Sequence, residues 1–150
     1  MTTSTKREIA IPVAVEEFVR RIQTADWDGM EEHLTADVLY DASVPGWHYQ
    51  YEGAGRVVQE YREEWNGKYL WSVQVQHVVA TRDAVVLGIE IHGQPIRDDG
   101  LPPALCRLAN LFRLEGDRIA EHRFYCCGEW DPETVRNIAE HAPKVEGRTS

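Results

Sequence analysis

Apolar positions in the first part of the chain recur at the period of an α-helix. Spacings of three and four residues over 11–22 predict a first helix that starts near Pro12 and ends near Ala25. A short helix over 28–34 follows, and a second apolar stripe predicts a third helix over 54–65 that Asn66-Gly67 ends. Between the second and third predicted helices, β-branched and aromatic residues over 37–44 predict a strand that ends at a Pro-Gly turn.

The period changes to two after residue 67, which indicates strands. Four are predicted, over 71–79, 85–91, 104–114 and 118–127, with a Pro/Gly-rich loop over 93–103 between the second and the third. Asp131-Pro132 opens a final helix that runs to about Ala142. Residues 1–10 and 143–150 are too polar to pack, so they are predicted to be flexible tails of a single domain.

This order of elements, ααβαββββα, places helices before a mostly antiparallel sheet and is typical of an α+β fold. We predict that the sheet is strongly curved and forms a cone around the helices. Such a sheet leaves an open-ended apolar cavity, and a cavity of this kind is where a small ligand binds.

Composition and net charge exclude some classes of binding partner. The chain has 150 residues, 43% of them hydrophobic, and a net charge of −9, which repels polyphosphates and anionic lipid headgroups. Nucleic acid and membranes are therefore not expected as partners, whereas a small-molecule substrate is. No stretch approaches 18 apolar residues, and residues 1–12 lack the apolar segment of a signal peptide, so a cytoplasmic location is predicted.

The three cysteines, Cys106, Cys126 and Cys127, form no CxxC motif and no spacing with histidine that is typical of zinc ligands. We therefore expect neither a disulfide framework nor a metal, and we interpret all three as small hydrophobic residues.

Strand alternation selects the side chains that enter the cavity. His77 alternates with Trp71 and the valines of its strand, so it is predicted to be buried and neutral, as a general base near pH 7 must be. Asn110 and His122 are likewise assigned to inward faces of the last two strands. Each could instead be satisfied by a protein group, because a buried polar side chain needs a partner of either kind.

The neighbours Tyr40 and Asp41 face opposite sides of their strand, so one of them is expected in the cavity. A carboxylate there would have a raised pKa, which suits proton transfer. His92 and Arg107 are assigned to the exterior, and the charged triplet over 62–64 is interpreted as a solvated helix face. The side chains predicted to line the cavity and bind substrate are Phe18, Ile22, Trp65, Leu108, Phe112, Phe124 and Trp130.

The sequence resembles the nuclear transport factor two-like, or SnoaL-like, superfamily, whose members have a cone-shaped α+β fold with this order of elements. The resemblance lies in ADWDGMEEHLTADVLYD after the first helix and in FRLEGDRIAEHRFY across the final hairpin. Within the superfamily the chain looks most like scytalone dehydratase. Four short motifs in the right order carry that likeness: Asp26-Trp27-Asp28, Gln76-His77, Ala109-Asn110-Leu111 and Gly128-Glu129-Trp130-Asp131.

The resemblance implies a cofactor-free lyase in which histidines shuttle protons and an asparagine orients the substrate. His77 matches a family histidine and Asn110 the family asparagine, whereas Leu108 replaces a serine of the family site and the two tyrosines fall at Ile22 and Ala42. Family members form dimers or trimers, so a homodimer or homotrimer is expected.

These observations favour a cofactor-independent acid–base enzyme, a dehydratase or an isomerase or cyclase, that acts on a small hydrophobic carbonyl or polyketide-like compound. In this hypothesis His77 removes a proton, Asn110 binds the enolate oxygen, and Asp41 or Tyr40 handles the second proton with His122. The alternative is a non-catalytic ligand-binding or assembly domain of the same fold. The final helix either closes the cavity as a lid or packs on the outer surface.

Overall fold

The computed structural model describes residues 10–65, 68–98 and 100–143. The described residues form three α-helices, one turn of 3-10 helix at Met30–His33, and six strands. The helices are α1 (Val13–Thr24), α2 (Ala54–Glu64) and α3 (Pro132–His141); the strands are β1 (Leu34–Val44), β2 (Trp47–Glu52), β3 (Tyr69–Ala80), β4 (Ala84–Pro95), β5 (Ala104–Glu115) and β6 (Arg118–Cys126). The predicted stop at Asn66-Gly67, and the predicted tails except residues 10 and 143, lie outside the described residues.

The six strands form one curved, unclosed sheet in the order β2-β1-β6-β5-β4-β3. Only the β1–β6 pair is parallel among these strands, and the others pair antiparallel. Helices α1 and α2 lie against the inner face, where Phe18 of α1 packs on Tyr61 of α2 and Phe112 of β5. The predicted α+β cone is confirmed.

Strand β2 was not predicted from the sequence. Its residues alternate between half-buried and exposed, and Trp47 is 69% exposed, because β2 is an edge strand. Gly46, with φ of 76°, makes the turn that folds β2 back onto β1. The predicted second helix is also shorter than expected, since Leu34 already begins β1.

A β-bulge in β3 reverses the face of the strand after Gln76. Val75 pairs with Ile89 and His77 pairs with Gly88, so Gln76 is an extra residue with no partner in the register. Strict alternation would have placed His77 on the inner face with Trp71. After the bulge, His77 is exposed on the outer face.

Helix α3 lies on the outer surface of the sheet. Its cap is formed by Asp131, whose carboxylate accepts a hydrogen bond of 2.7 Å from the Thr134 N–H. Trp130, the residue before Asp131, forms a β-bridge with Leu105 of β5. Leu105 also lines a groove of about 340 Å³ together with Val135 of α3. None of the α3 residues is fully buried. Of the two arrangements that the sequence allowed, the structure therefore adopts outer packing rather than a lid.

No helix within the described ranges is both long and apolar enough to cross a membrane.

Candidate functional site

A mostly apolar cavity of about 250 Å³ lies at one end of the sheet, where β1 and β6 end and β5 begins. The C-terminal end of α2 forms one wall of it. The lining residues are Val44, Pro45, Glu64, Trp65, Trp71, Ile91, Cys106, Leu108, Phe124, Cys126, Gly128 and Glu129. Carboxyl groups in this lining come only from Glu64 and Glu129 among the described residues, which makes them the first candidates for acid–base chemistry.

Glu64 is the residue that helix α2 presents to the cavity. Its carboxylate accepts a hydrogen bond of 2.8 Å from the Tyr40 hydroxyl. Burial raises the pKa of Glu64 to about 7, although the bond from Tyr40 acts in the opposite direction. At neutral pH this carboxyl group is therefore divided between its acidic and basic forms, as a general acid or base needs to be.

Tyr40, on β1, is fully buried beneath Glu64 and packs against the rings of Tyr61, His122 and Phe124. Burial, followed by the nearby charge of Glu64, raises the pKa of Tyr40 well above its ordinary value. The hydroxyl thus stays protonated and can donate a hydrogen bond to Glu64 in its ionised form.

His122, Asn110 and Tyr61 form a closed polar chain in the core. His122 Nε2 lies 2.9 Å from Asn110 Oδ1, and His122 Nδ1 lies 2.7 Å from the Tyr61 hydroxyl. Burial lowers the pKa of His122 to about 3, so its ring is neutral. Since the Asn110 amide nitrogen donates to the Leu87 carbonyl oxygen at 3.4 Å, the Asn110 oxygen accepts from Nε2–H and the Tyr61 hydroxyl donates to Nδ1. Both ring nitrogens are thus occupied by protein groups.

Two tryptophans at the cavity carry indole N–H groups that find no partner among the described residues. Trp65 and Trp71 both line it and are at most 9% exposed, with ring centroids 5.7 Å apart. Their Nε1 atoms are buried and make no hydrogen bond with any residue that the structure describes. A buried N–H without a partner costs about 1–3 kcal/mol.

Two thiols complete the lining. Cys106 of β5 and Cys126 of β6 both face the cavity, and the Gly128 N–H donates to Cys126 Sγ at 3.3 Å. Within residues 10–65, 68–98 and 100–143, three or more His, Cys, Asp or Glu side chains nowhere come together as a metal site.

Comparison with known families identifies the chain. A model of the SnoaL-like domain matches residues 15–122. The chain belongs to the SnoaL-like domain family. This match covers helix α1 from Val15 onward, all of α2 and strands β1 to β5, and it ends within β6, at His122. The SnoaL-like fold within the wider NTF2-like superfamily, which the sequence resembles, is thereby confirmed.

Solved structures are similar to this SnoaL-like domain over most of its length. An LEH-like epoxide hydrolase from M. tuberculosis is 22% identical with a TM-score of 0.59, covering 75% of this chain and 79% of that one. The epoxide hydrolase/cyclase-like enzyme SalBIII, of pyran ring formation in salinomycin, is 16% identical with a TM-score of 0.60, covering 75% and 87%.

A hypothetical protein with a ketosteroid isomerase-like fold, from Catenulispora acidiphila and in complex with trimethylamine, is 14% identical. Its TM-score is 0.65, and the match covers 84% of this chain and 91% of that one. At these identities the likeness concerns the fold. No curated protein matches the sequence, so the likeness to scytalone dehydratase stays a resemblance.

The structure of the SnoaL-like domain resolves which of Tyr40 and Asp41 faces inward: it is Tyr40. Asp41 is on the outer side of β1, where it contacts His48 at 3.1 Å, Arg123 at 3.5 Å and the amide of Gln50. Burial acts to raise the pKa of Asp41, but the hydrogen bonds from Gln50 and His48 outweigh it and lower the pKa. Of the two alternatives that the sequence left open, the structure therefore favours Tyr40, and Asp41 is a buried member of an ion-pair network on the outer side of β1.

The other predicted site residues fall into three groups. Trp65, Leu108 and Phe124 line the cavity. Phe18, Ile22 and Phe112, like Asn110 and His122, are fully buried in the core and do not line it. His77 lies on the outer face because of the bulge in β3. Trp130 lies on the outer face because it precedes α3, which packs there. Neither residue can therefore contact a ligand in this cavity. His92 and Arg107 both pair with Glu90 on the outside, as predicted.

Sequence reasoning missed Glu64 because it treated residues 62–64 as one charged face. The helical period contained the signal. Glu64 lies three residues after Tyr61 and seven after Val57, both fully buried, so it belongs to the inward stripe of α2. Its neighbours Arg62 and Glu63 are exposed.

Proposed function

We propose that the protein is a cofactor-independent acid–base enzyme that transfers a proton within a small, largely apolar carbonyl compound. The observation that carries the proposal is the Glu64 carboxyl group, which has a pKa of about 7, at an apolar cavity, with the Tyr40 hydroxyl as its hydrogen-bond partner. Glu64 takes the role of general base that the sequence had assigned to His77.

The unpartnered indole N–H groups favour a substrate that contains a carbonyl group. In the proposed complex, Trp65 or Trp71 rotates so that its indole N–H, which has almost no accessible surface in the free protein, donates a hydrogen bond to the ketone oxygen. The same bond becomes stronger when proton loss from the α-carbon converts the ketone to an enolate, because negative charge then develops on the oxygen. The remaining lining, with Leu108, Ile91 and Phe124, favours a hydrocarbon skeleton.

In the proposed reaction, ionised Glu64 removes the proton alpha to the carbonyl and later returns it to another atom of the substrate. Tyr40 holds the carboxylate by its hydroxyl and is itself kept neutral by burial. Return of the proton to carbon completes an isomerisation, and its delivery to a leaving hydroxyl completes a dehydration. A cyclisation uses the same acid to activate an oxygen of the substrate. An epoxide hydrolase and an epoxide hydrolase/cyclase-like enzyme of pyran ring formation share this fold, which supports an enzymatic function.

A panel of six-membered-ring ketones tests the proposal, since such rings suit a cavity of about 250 Å³. Deuterium exchange of cyclohexanone reports removal of the α-proton. Isomerisation of 3-cyclohexen-1-one reports return of the proton to carbon, and dehydration of 3-hydroxycyclohexanone reports its delivery to a leaving hydroxyl. We expect at least one rate above background, and Glu64→Gln should lower it about 10²–10⁴-fold, as loss of a general base does. Glu63→Gln, which neutralises the exposed neighbour in the helix, is the matched control.

The alternative of a non-catalytic ligand-binding domain is favoured by one observation: Asn110 bonds to protein groups, namely His122 and the Leu87 carbonyl. Binding of a ketone without turnover would support the non-catalytic alternative. If cyclohexanone binds, as measured by calorimetry, and none of the three ketones reacts faster than in buffer, the enzymatic proposal fails and the binding domain stands. Trp71→Phe should weaken cyclohexanone but not methylenecyclohexane, which has the same shape without the acceptor.

A further inference from the structure

Two cysteines from neighbouring strands meet at the cavity wall. In the β5–β6 register Leu108 pairs with Cys126, so Cys106, two residues before Leu108, lies diagonal to Cys126 on the same face. Cys106 is 4% exposed and Cys126 is half-buried, and both line the cavity. Cys127 points the other way, is exposed, and is not part of the lining.

The local backbone directs a hydrogen-bond donor at one of the two sulfurs. Gly128 has φ of 95°, a conformation that favours glycine, and its N–H donates to Cys126 Sγ at 3.3 Å. A Cβ at this position would also approach the Pro45 side chain to 3.1 Å. The backbone turn that supplies the donor is thus tied to glycine by two independent constraints.

Cys106 is the second neighbour that acts on the Cys126 thiol. Its thiol and the Gly128 N–H lower the pKa of Cys126, against the opposing effects of burial and of the Glu129 carboxylate. The hydrogen bond with Cys126, together with burial, raises the pKa of Cys106. Of the two thiols, Cys126 therefore loses its proton more readily than Cys106.

We propose that Cys126 is a nucleophilic site within the cavity that forms covalent adducts with small α,β-unsaturated ketones. The Cys126 sulfur bonds to the β-carbon, the electron pair of the C=C bond moves into an enolate, and the α-carbon takes a proton from water. The thiol proton has already been lost to solvent, so atoms and charge balance and no oxidant is needed. This inference goes beyond the proposed function and does not depend on catalysis by Glu64.

The cavity gives this site its selectivity. In the proposed adduct site, Trp65 or Trp71 rotates so that its buried N–H donates to the enone carbonyl oxygen, and this bond withdraws electrons from the β-carbon. A six-membered ring suits the volume of about 250 Å³, whereas a polymer-linked reagent does not. Cys127, outside the cavity, has no such selection and serves as the internal comparison.

The experiment uses 2-cyclohexen-1-one with two full-length variants, Cys127→Ser and Cys126→Ser, each retaining one of the adjacent thiols and also Cys106. Adduct formation is followed by intact-protein mass spectrometry at pH 7, and the modified residue is mapped by fragmentation. We expect Cys127→Ser to react faster than Cys126→Ser, because the lowered pKa of Cys126 provides more thiolate at pH 7 and the cavity holds the enone beside this sulfur.

Three further results bear on the proposal. The rate for Cys127→Ser should have a midpoint below the ordinary thiol pKa of about 8.5, and Cys106→Ala in that background should move the midpoint upward. Glu64 and Glu129 are the other ionisable groups that line the cavity with this thiol. A maleimide on a 5-kDa polyethylene glycol, whose polymer is far too large for a cavity of about 250 Å³, should modify Cys127 and spare Cys126. Faster enone addition at Cys127, or polymer labelling of Cys126 in protein that circular dichroism reports as folded, would overturn the inference.

Discussion

Replacement of Glu64 by glutamine tests the physical basis of the candidate site without any substrate. Burial raises the pKa of Glu64 from 4.5 to about 7, so between these pH values the folded protein binds a proton that the unfolded chain has released. The free energy of unfolding must then fall as the pH rises from 4.5 to 7. Each unit of pKa difference is worth about 1.4 kcal/mol, which gives a loss of about 3 kcal/mol above pH 7.

Glutamine resembles the protonated carboxyl group and can still accept the Tyr40 hydroxyl. Glu64→Gln should therefore match the wild type near pH 4 and exceed its free energy of unfolding by about 3 kcal/mol at pH 8. Urea unfolding, followed by circular dichroism at half-unit steps of pH, measures the difference. The exposed Glu63→Gln is the control for the change in net charge. An increment that stays constant from pH 4 to pH 8 would refute the raised pKa, and with it the argument for proton transfer.

Four other predictions follow from the placement of particular residues. His77→Ala, on the outer face, should leave any ketone turnover unchanged and alter the unfolding free energy by no more than about 0.5 kcal/mol; a large loss of turnover would return His77 to the site. Tyr40→Phe removes a hydrogen bond that lowers the pKa of Glu64, so the midpoint of the pH–rate profile should move above 7. Truncation after Trp130 deletes α3 but no residue of the cavity wall, and cyclohexanone affinity measured by calorimetry should persist. The outer face carries partly exposed Leu111 and Tyr125 among charged groups, and light scattering at micromolar concentration should give the mass of a dimer or a trimer.

Local periodicity was a sound guide wherever the backbone stayed regular. Asn110, Phe112 and His122 occupy the inner face that alternation assigned to them, because the β5–β6 ladder is continuous from Leu108 to Arg113. Likewise, the apolar stripes of α1 and α2 are the faces that these helices bury. The order of elements was sufficient to predict the α+β fold, since helix and strand periods differ and each amphipathic element has one face to cover.

His77 is the residue for which this reasoning failed. A single unpaired residue, Gln76, shifts the alternation of β3 by one, and a shift by one moves every later side chain to the opposite face. The bulge depends on the pairing with β4, opposite Gly88, and therefore on residues distant in sequence. Strand β2 was missed for a related reason: as an edge strand it buries little, so its hydrophobic pattern is weak.

The sequence by itself determined the fold class, the inward faces of the regular elements and the absence of a strong positive field. Tertiary structure alone decided the chemistry of the ionisable groups. Glu64 and Asp41 are both carboxylic acids, yet the pKa of Glu64 is raised and that of Asp41 is lowered. The difference arises because Glu64 meets an apolar cavity and one hydroxyl, while Asp41 meets two side-chain hydrogen-bond donors and an arginine. Desolvation and partner charge are properties of the assembled surroundings, which residues distant in the chain supply.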